Sequence, residues 1–155
     1  MGMFPQQLNG FEYIVKGRFM SAEENKAIVR QTWEGLFNKG NLATADELIA
    51  ANFTNHAAPG APPGPISFKQ LVTMYRAAFP DVQFIIEDLL CDGDKVVIRN
   101  TFRGTHRGSF MGIAPTGKPI SQEQIHIVRV ADGKIAEHWA VRDDLSLMRQ
   151  LGAIH

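Results

Sequence analysis

The spacing of apolar positions changes partway along the chain. From Ser21 to Phe37, Ile28, Val29, Thr32, Trp33, Leu36 and Phe37 fall on one side of a 3.6-residue helix. Ser21-Ala-Glu-Glu24 has capping-box spacing ahead of that face, and Gly40 supplies a C-terminal stop. A short second helix from near Thr44 uses Leu42, Ala45, Leu48 and Ile49, and Phe53 to His56 reads as a short strand. After a proline-glycine loop, Ala57 to Pro65, the stretch Ser67-Phe-Lys-Gln70 caps a third helix bearing Leu71, Val72, Tyr75, Ala78 and Phe79. Pro80 ends it.

Beyond Pro80 the pattern belongs to strands. Val82 to Leu90 and Val96 to Phe102 flank Asp92-Gly93, while Ile120 to Val130 and Ile135 to Val141 flank Asp132-Gly133. Both dipeptides are strong hairpin signals. A long glycine-containing connection, Gly104 to Pro119, joins the hairpins and is expected to expose His106 and Arg107. A last helical turn or two, Leu145 to Leu151, stops at Gly152. Helices first and hairpins afterwards predict an α+β fold, with helices on one face of a curved antiparallel sheet. The concave end of such a sheet is a natural pocket for a small molecule. Residues 1–20 read as an extension of unassigned role, and 21–155 as a single domain.

Composition narrows the partners. A 155-residue chain that is 45% hydrophobic can bury a real core. Sixteen basic residues balance sixteen acidic ones, which argues against nucleic acid or an anionic membrane as partner. Cys91 is the single cysteine, which excludes an internal disulfide and a thiolate zinc cluster. No apolar run approaches the ~20 residues that span a bilayer, and the first residues lack the basic start and apolar stretch of a secretory signal. The expected compartment is the cytoplasm. The histidines show no paired metal-ligand spacing, so no metal is expected.

The second hairpin carries the candidate chemistry. Its strands hold His126, Glu137, His138 and Trp139 among apolar residues. Titratable groups on an otherwise apolar sheet suggest a cavity wall, because an unpaired buried polar group costs ~1–3 kcal/mol. Two registers are open. A two-residue turn at Asp132-Gly133 pairs His126 with Trp139 and puts Glu137, Trp139 and Asp143 on its face. A three-residue loop pairs His126 with His138 and puts Ala140 and Arg142 there. A bulge could mix the two.

Other candidates flank the hairpin. Asp143 is either a displaced base or, like Asp144, a cap for the last helix. Asn55 and His56 end the first strand beside the proline loop, where polar groups orient ligands. Phe84, Phe102, Phe110 and Met111 line the pocket or pack the core.

Several stretches together resemble the SnoaL-like polyketide cyclases and their ester-cyclase relatives. They are Asn52-Phe-Thr-Asn-His56, Phe79-Pro80-Asp81, the Gly104 to Gly117 connection, Asp132-Gly-Lys-Ile-Ala-Glu-His-Trp139 and Leu147 to Gly152. The resemblance covers about residues 22–152. It implies a cone-shaped α+β barrel of the nuclear-transport-factor-two-like superfamily, often a homodimer or homotetramer through the sheet. It also implies cofactor-free closure of a ring in a flat carbonyl-containing small molecule by intramolecular aldol reaction, or a related isomerisation. By that resemblance His126 stands where the cyclases place an active-site histidine, which favours the second register. Their catalytic aspartate falls at Ala140. His126 is then the first candidate for acid/base work, with Asp143 or Glu137 assisting. Asn55, His56, His138, Trp139 and the aromatic set would bind substrate. The missing carboxylate leaves open a non-catalytic binding module, and the wider superfamily a hydrolase or dehydratase.

Overall fold

A computed structural model describes residues 20–155, so the expected extension, apart from Met20, lies outside the described residues. Helix α1, Ala22–Thr32, starts from Ser21 with the reciprocal capping box intact: Glu24 N donates to Ser21 Oγ, and Ser21 N donates to Glu24 Oε2. The chain then widens into a π-helical turn, Trp33–Asn38, a local geometry that often marks functional sites. Helix α2, Ala43–Leu48, runs straight into strand β1, Ile49–Asn55, so Ile49 opens the strand and does not close the helix.

Helix α3 spans Pro65–Ala78. Its expected capping box at Ser67 is not used. Pro65, with its fixed φ, suits the first helical turn, and Gly64 at φ 84° is the cap residue. Ser67 is buried and its hydroxyl accepts from Asn55 Nδ2.

Strands β2 (Gln83–Asp92), β3 (Lys95–Thr105), β4 (Pro119–Ala131) and β5 (Lys134–Arg142) follow, and helix α4 is Asp144–Gln150. The sheet is curved and unclosed, in the order β1-β5-β4-β3-β2. The expected all-antiparallel pairing holds from β2 to β5, but β1 joins β5 in parallel, with Asn55 beside His138. The first hairpin turns one residue later than expected: Asp92 pairs with Lys95 around Gly93-Asp94, with φ 59° at Gly93. In the second hairpin both Asp132 (φ 50°) and Gly133 (φ 77°) are left-handed, the requirement of a two-residue I′ turn.

The inner sheet face packs against α1, the π turn and α3. Val29, Trp33, Leu36, Phe37, Phe68, Val72 and Tyr75 from the helices meet Phe84, Ile98, Phe102, Val128 and Ile135 from the strands. The long connection does not leave His106 in solvent. Arg107 N and Gly108 N both donate to Ala78 O, and Gly117 N donates to His106 O. These bonds fold the loop over the end of α3 and bury His106, whose Nδ1 accepts from Thr116 N at 3.2 Å. Arg107 is exposed. No helix among the described residues is long and apolar enough to cross a membrane.

Candidate functional site

A bulge decides which side chains share a face with His126. Close to the turn, Ala131 pairs with Lys134 and Val130 with Ile135, but the next pair is Arg129 with Glu137. Ala136 is the extra residue. From there on the register is shifted by one, so His126 stands opposite Ala140 and Val128 opposite His138. The direct partner is neither of the two expected residues. The face is that of the second register: His138, Ala140 and Arg142 turn towards His126, and Glu137 and Trp139 turn away.

A file of polar side chains crosses the apolar inner face. Gln122, Gln124 and His126 alternate along β4, with Asn100 on β3, His138 on β5 and Asn55 on β1. All six are buried. Each finds partners, as buried polar groups must. His126 Nδ1 is 2.8 Å from His138 Nε2, and His126 Nε2 is 3.0 Å from Gln124 Oε1. His138 Nδ1 is 2.8 Å from Asn55 Oδ1. Trp33 Nε1 donates to Asn100 Oδ1, and Asn100 Nδ2 donates to Gln124 Oε1. Gln124 Nε2 donates to Gln122 Oε1, and Gln122 Nε2 to Asp144 Oδ1 at the protein surface.

The electrostatics favour neutral rings. Burial holds the His126 pKa well below its usual value of 6.5, with the neighbouring His138 and Arg142 adding to the effect. Burial, then Arg142 and His56, bring His138 down to about 3. Burial raises the Tyr75 phenol, against the opposing charge of Arg142. Arg142 stands beside Gln124 in the ladder, and among the described residues it has no carboxylate within ion-pair distance. Neutral imidazoles, a protonated phenol and the Arg142 guanidinium form a site that can accept a proton and stabilise an anion.

Trp33, Tyr75, Phe84, Gln124, His126, His138 and Arg142 line the cavity in front of the pair. Its volume for a water-sized sphere is about 10 Å³, on the scale of one water molecule. Trp33 and Phe84 also border a groove of about 830 Å³ between α1, the π turn and the start of β2. Those two rings line both the inner cavity and a groove large enough for a multi-ring ligand.

The other sequence candidates lie elsewhere. Glu137 accepts from Arg129 Nε and lies 3.1 Å from His56 Nε2; Arg129 first and His56 second lower its pKa. His56 stacks on Trp139, ring centres 4.8 Å apart. This trio-plus-tryptophan occupies the outer sheet face, away from the His126 pair. Asp143 caps α4, accepting from Ser146 N at 3.0 Å. Phe84, Phe102 and Phe110 join Tyr75 and Phe79 in a buried aromatic cluster, with Phe84 alone among these phenylalanines reaching the cavity. Met111 is exposed, at φ 49°.

Sequence reasoning missed Gln122, Gln124, Asn100, Trp33, Tyr75 and Arg142 as site residues. One signal was available: Gln122, Gln124 and His126 recur every second residue, and a strand puts such residues on one face. Among the described residues no three His, Cys, Asp or Glu converge as a metal-binding group.

Comparison with known proteins adds the lineage. The sequence model of the SnoaL-like polyketide cyclase family matches residues 27–151. Nogalonic acid methyl ester cyclase of Streptomyces nogalater is 35% identical over 119 residues, covering 75% of this chain and 89% of the relative. Aklanonic acid methyl ester cyclase DnrD of Streptomyces peucetius is 33% identical over 129 residues, covering 81% of this chain and 88% of the relative. Among solved structures, TsrD from Streptomyces laurentii superposes with a TM-score of 0.81 at 27% identity, over 87% of this chain and 99% of that one.

Proposed function

The chain belongs to the SnoaL-like polyketide cyclase family, and on that premise we propose that it cyclises a flat, carbonyl-bearing small molecule by cofactor-free acid/base chemistry. The observation that carries this reading is the buried His126–His138 contact, set on the sheet face that also presents Gln124 and Arg142 to the cavity, with Tyr75 of α3 lining it too. An ester with a second carbonyl near its α carbon has an unusually acidic C–H. Removing that proton gives an enolate, whose carbon attacks a ketone in the same molecule. The resulting alkoxide takes a proton back, so product and substrate are isomers. His126 is the group that moves the proton. Arg142 and the Tyr75 hydroxyl hold the developing oxyanion, where preorganised donors are most effective.

The ligand enters from the groove beside α1, with Trp33 and Phe84 moving aside, because the cavity as it stands holds no more than a water. The protein acts as a homodimer or homotetramer packed through the outer sheet face. What supports the assembly is a strip on neighbouring strands: Val97, Ile127 and Trp139 sit in one row, and Ile125 and Val141 in the next. Ile125 and Val141 are exposed large apolar residues.

The test is incubation with aklanonic acid methyl ester, the compound in the relatives' names. Conversion to an isomer of equal mass, faster than in buffer, supports the proposal; unchanged ester that nonetheless binds rejects it. The second outcome would establish the binding-module reading, which the methyl group of Ala140 opposite His126 favours.

A further inference from the structure

The groove beside α1 carries a charge imbalance that the chemistry above leaves unused. Five charged side chains line it: Arg30 on α1, Glu34 in the π turn, Lys39 just after it, Arg76 near the end of α3, and Asp81 ahead of β2. Both carboxylates are committed. Asp81 accepts from Thr105 N and Thr105 Oγ1, each at 2.7 Å, and those two bonds hold its pKa below the usual carboxylate value. Glu34 accepts from Asn38 Nδ2 at 3.1 Å and lies 4.0 Å from Lys39 Nζ. Among the described residues, neither Arg30 nor Arg76 has a carboxylate within ion-pair distance. The whole chain is balanced, sixteen charges against sixteen, so two unmatched arginines on one concave wall are a local excess.

Arg76 is the better placed of the two. Arg30 is exposed, whereas Arg76 is half-buried. Arg76 Nη1 donates to Asn38 O at 2.8 Å. Asn38 is in turn clamped to β2 at two points: Phe84 N donates to Asn38 Oδ1 at 2.7 Å, and Asn38 Nδ2 donates to Phe84 O at 3.1 Å. Gly40 completes the cradle. A Cβ there would stand 2.5 Å from Arg76 Nε and 2.9 Å from Cζ, so the guanidinium needs the bare backbone of Gly40 beside it. A guanidinium has five N–H donors in a fixed fork, and the bond to Asn38 O uses one. A planar, preset fork matches the geometry of a carboxylate, which it can hold by two parallel hydrogen bonds.

The rest of the wall sets the shape of the ligand. Trp33 and Phe84, with Pro80, Val82 and Ile86, make the apolar lining. Aromatic walls suit flat rings. The volume of about 830 Å³ is in the range of sites that hold a multi-ring small molecule.

We propose that this groove is a binding site for a flat aromatic carboxylate, with Arg76 taking the acid group and Arg30 adding to the positive field of the wall. The site goes beyond the cyclisation reading: no proton moves there, and the His126–His138 pair takes no part. It distinguishes an acid from its ester. The acid carries the charge that Arg76 answers, and esterification removes it. The groove therefore retains aromatic acids in preference to esters of the same ring system.

The experiment is titration of the full chain at neutral pH with naphthoate and with naphthylmethanol, an uncharged analogue of the same ring. Binding is followed by nitrogen–proton NMR of the backbone, indole and arginine Nε–H signals. The expected result is saturable shifts at Arg76 Nε and Trp33 Nε1, and a carboxylate preference of about tenfold, the scale of one charge-assisted hydrogen bond. Added salt shrinks that preference. In Arg76→Gln the preference disappears, while Arg142→Gln, which alters the inner cavity, keeps it. Loss of packing alone would weaken both probes together, so their ratio separates charge recognition from a structural role. Equal binding of the two probes by the unmodified chain overturns the proposal, as does the lack of saturation with millimolar naphthoate. So does a preference that survives Arg76→Gln or vanishes in Arg142→Gln. If Arg76→Gln does not fold, the unmodified chain decides: a carboxylate preference with no shift at Arg76 Nε rejects the site. No ester turnover is measured, so the binding result stands or falls apart from the cyclisation assay.

Discussion

Ala140 lies directly across the β4–β5 ladder from His126, and its methyl group occupies the position from which the family resemblance implies a carboxylate. Directly opposed strand residues have Cβ atoms about 4.5–5.5 Å apart. Ala140→Asp therefore brings a carboxylate within reach of the imidazole. An adjacent anion favours the charged ring, so the His126 pKa rises from its depressed value. Titration of His126 by NMR should show that upward shift, together with faster ester turnover. A His126 pKa unmoved by the substitution would mean the two side chains do not meet.

The buried pair also sets how stability depends on pH. Both folded pKa values are depressed below 6.5, His138 to about 3. In the unfolded chain these rings protonate below about 6.5; in the folded protein they stay neutral. The unfolded state thus binds more protons in that window, and stability falls as pH drops from 6.5 towards 3. Each histidine contributes up to about 1.4 kcal/mol per pH unit across it. Urea unfolding between pH 6.5 and 5 isolates the histidines from carboxylates of ordinary pKa. The slope should shrink in His138→Gln, and a flat profile in the unmodified protein would reject the neutral buried pair.

The elements were legible in the sequence where the signal is local. The capping box at Ser21, the left-handed Asp132-Gly133 turn and the Pro80 stop all act within a few residues of themselves. What escaped depends on tertiary context. The bulge at Ala136 decides that His138 faces inward and Trp139 outward, yet alanine carries no bulge signature. The parallel pairing of Asn55 with His138 joins residues far apart in sequence, so no local period reports it. Ser67 has the form of a cap but is recruited by Asn55. His106 looks like a loop histidine until the backbone bonds to Ala78 fold the connection over it. His126 and Asn55 were recognisable as candidates; the glutamine file beside them was overlooked despite its two-residue period.

The outer sheet face tests the assembly. Val141 and Ile125 are cross-strand neighbours exposed in the single chain. Val141→Lys places a charge in the strip, where a buried unpaired charge would cost several kcal/mol in a packed interface. Light scattering should show the mass fall to that of a monomer, with the folded signal of the chain retained. An assembly that survives the lysine would move the interface to another surface.

The central claim is that His126 transfers the proton, and hydrogen–deuterium exchange at the acidic carbon of aklanonic acid methyl ester tests it most directly. In D2O the unmodified protein should speed deuterium incorporation at that carbon, followed by NMR of the ester. His126→Gln, with an unchanged amide spectrum, should lose the acceleration by about 10²–10⁴-fold, the usual scale of acid–base catalysis. Exchange at the unmodified rate in that variant would contradict the account.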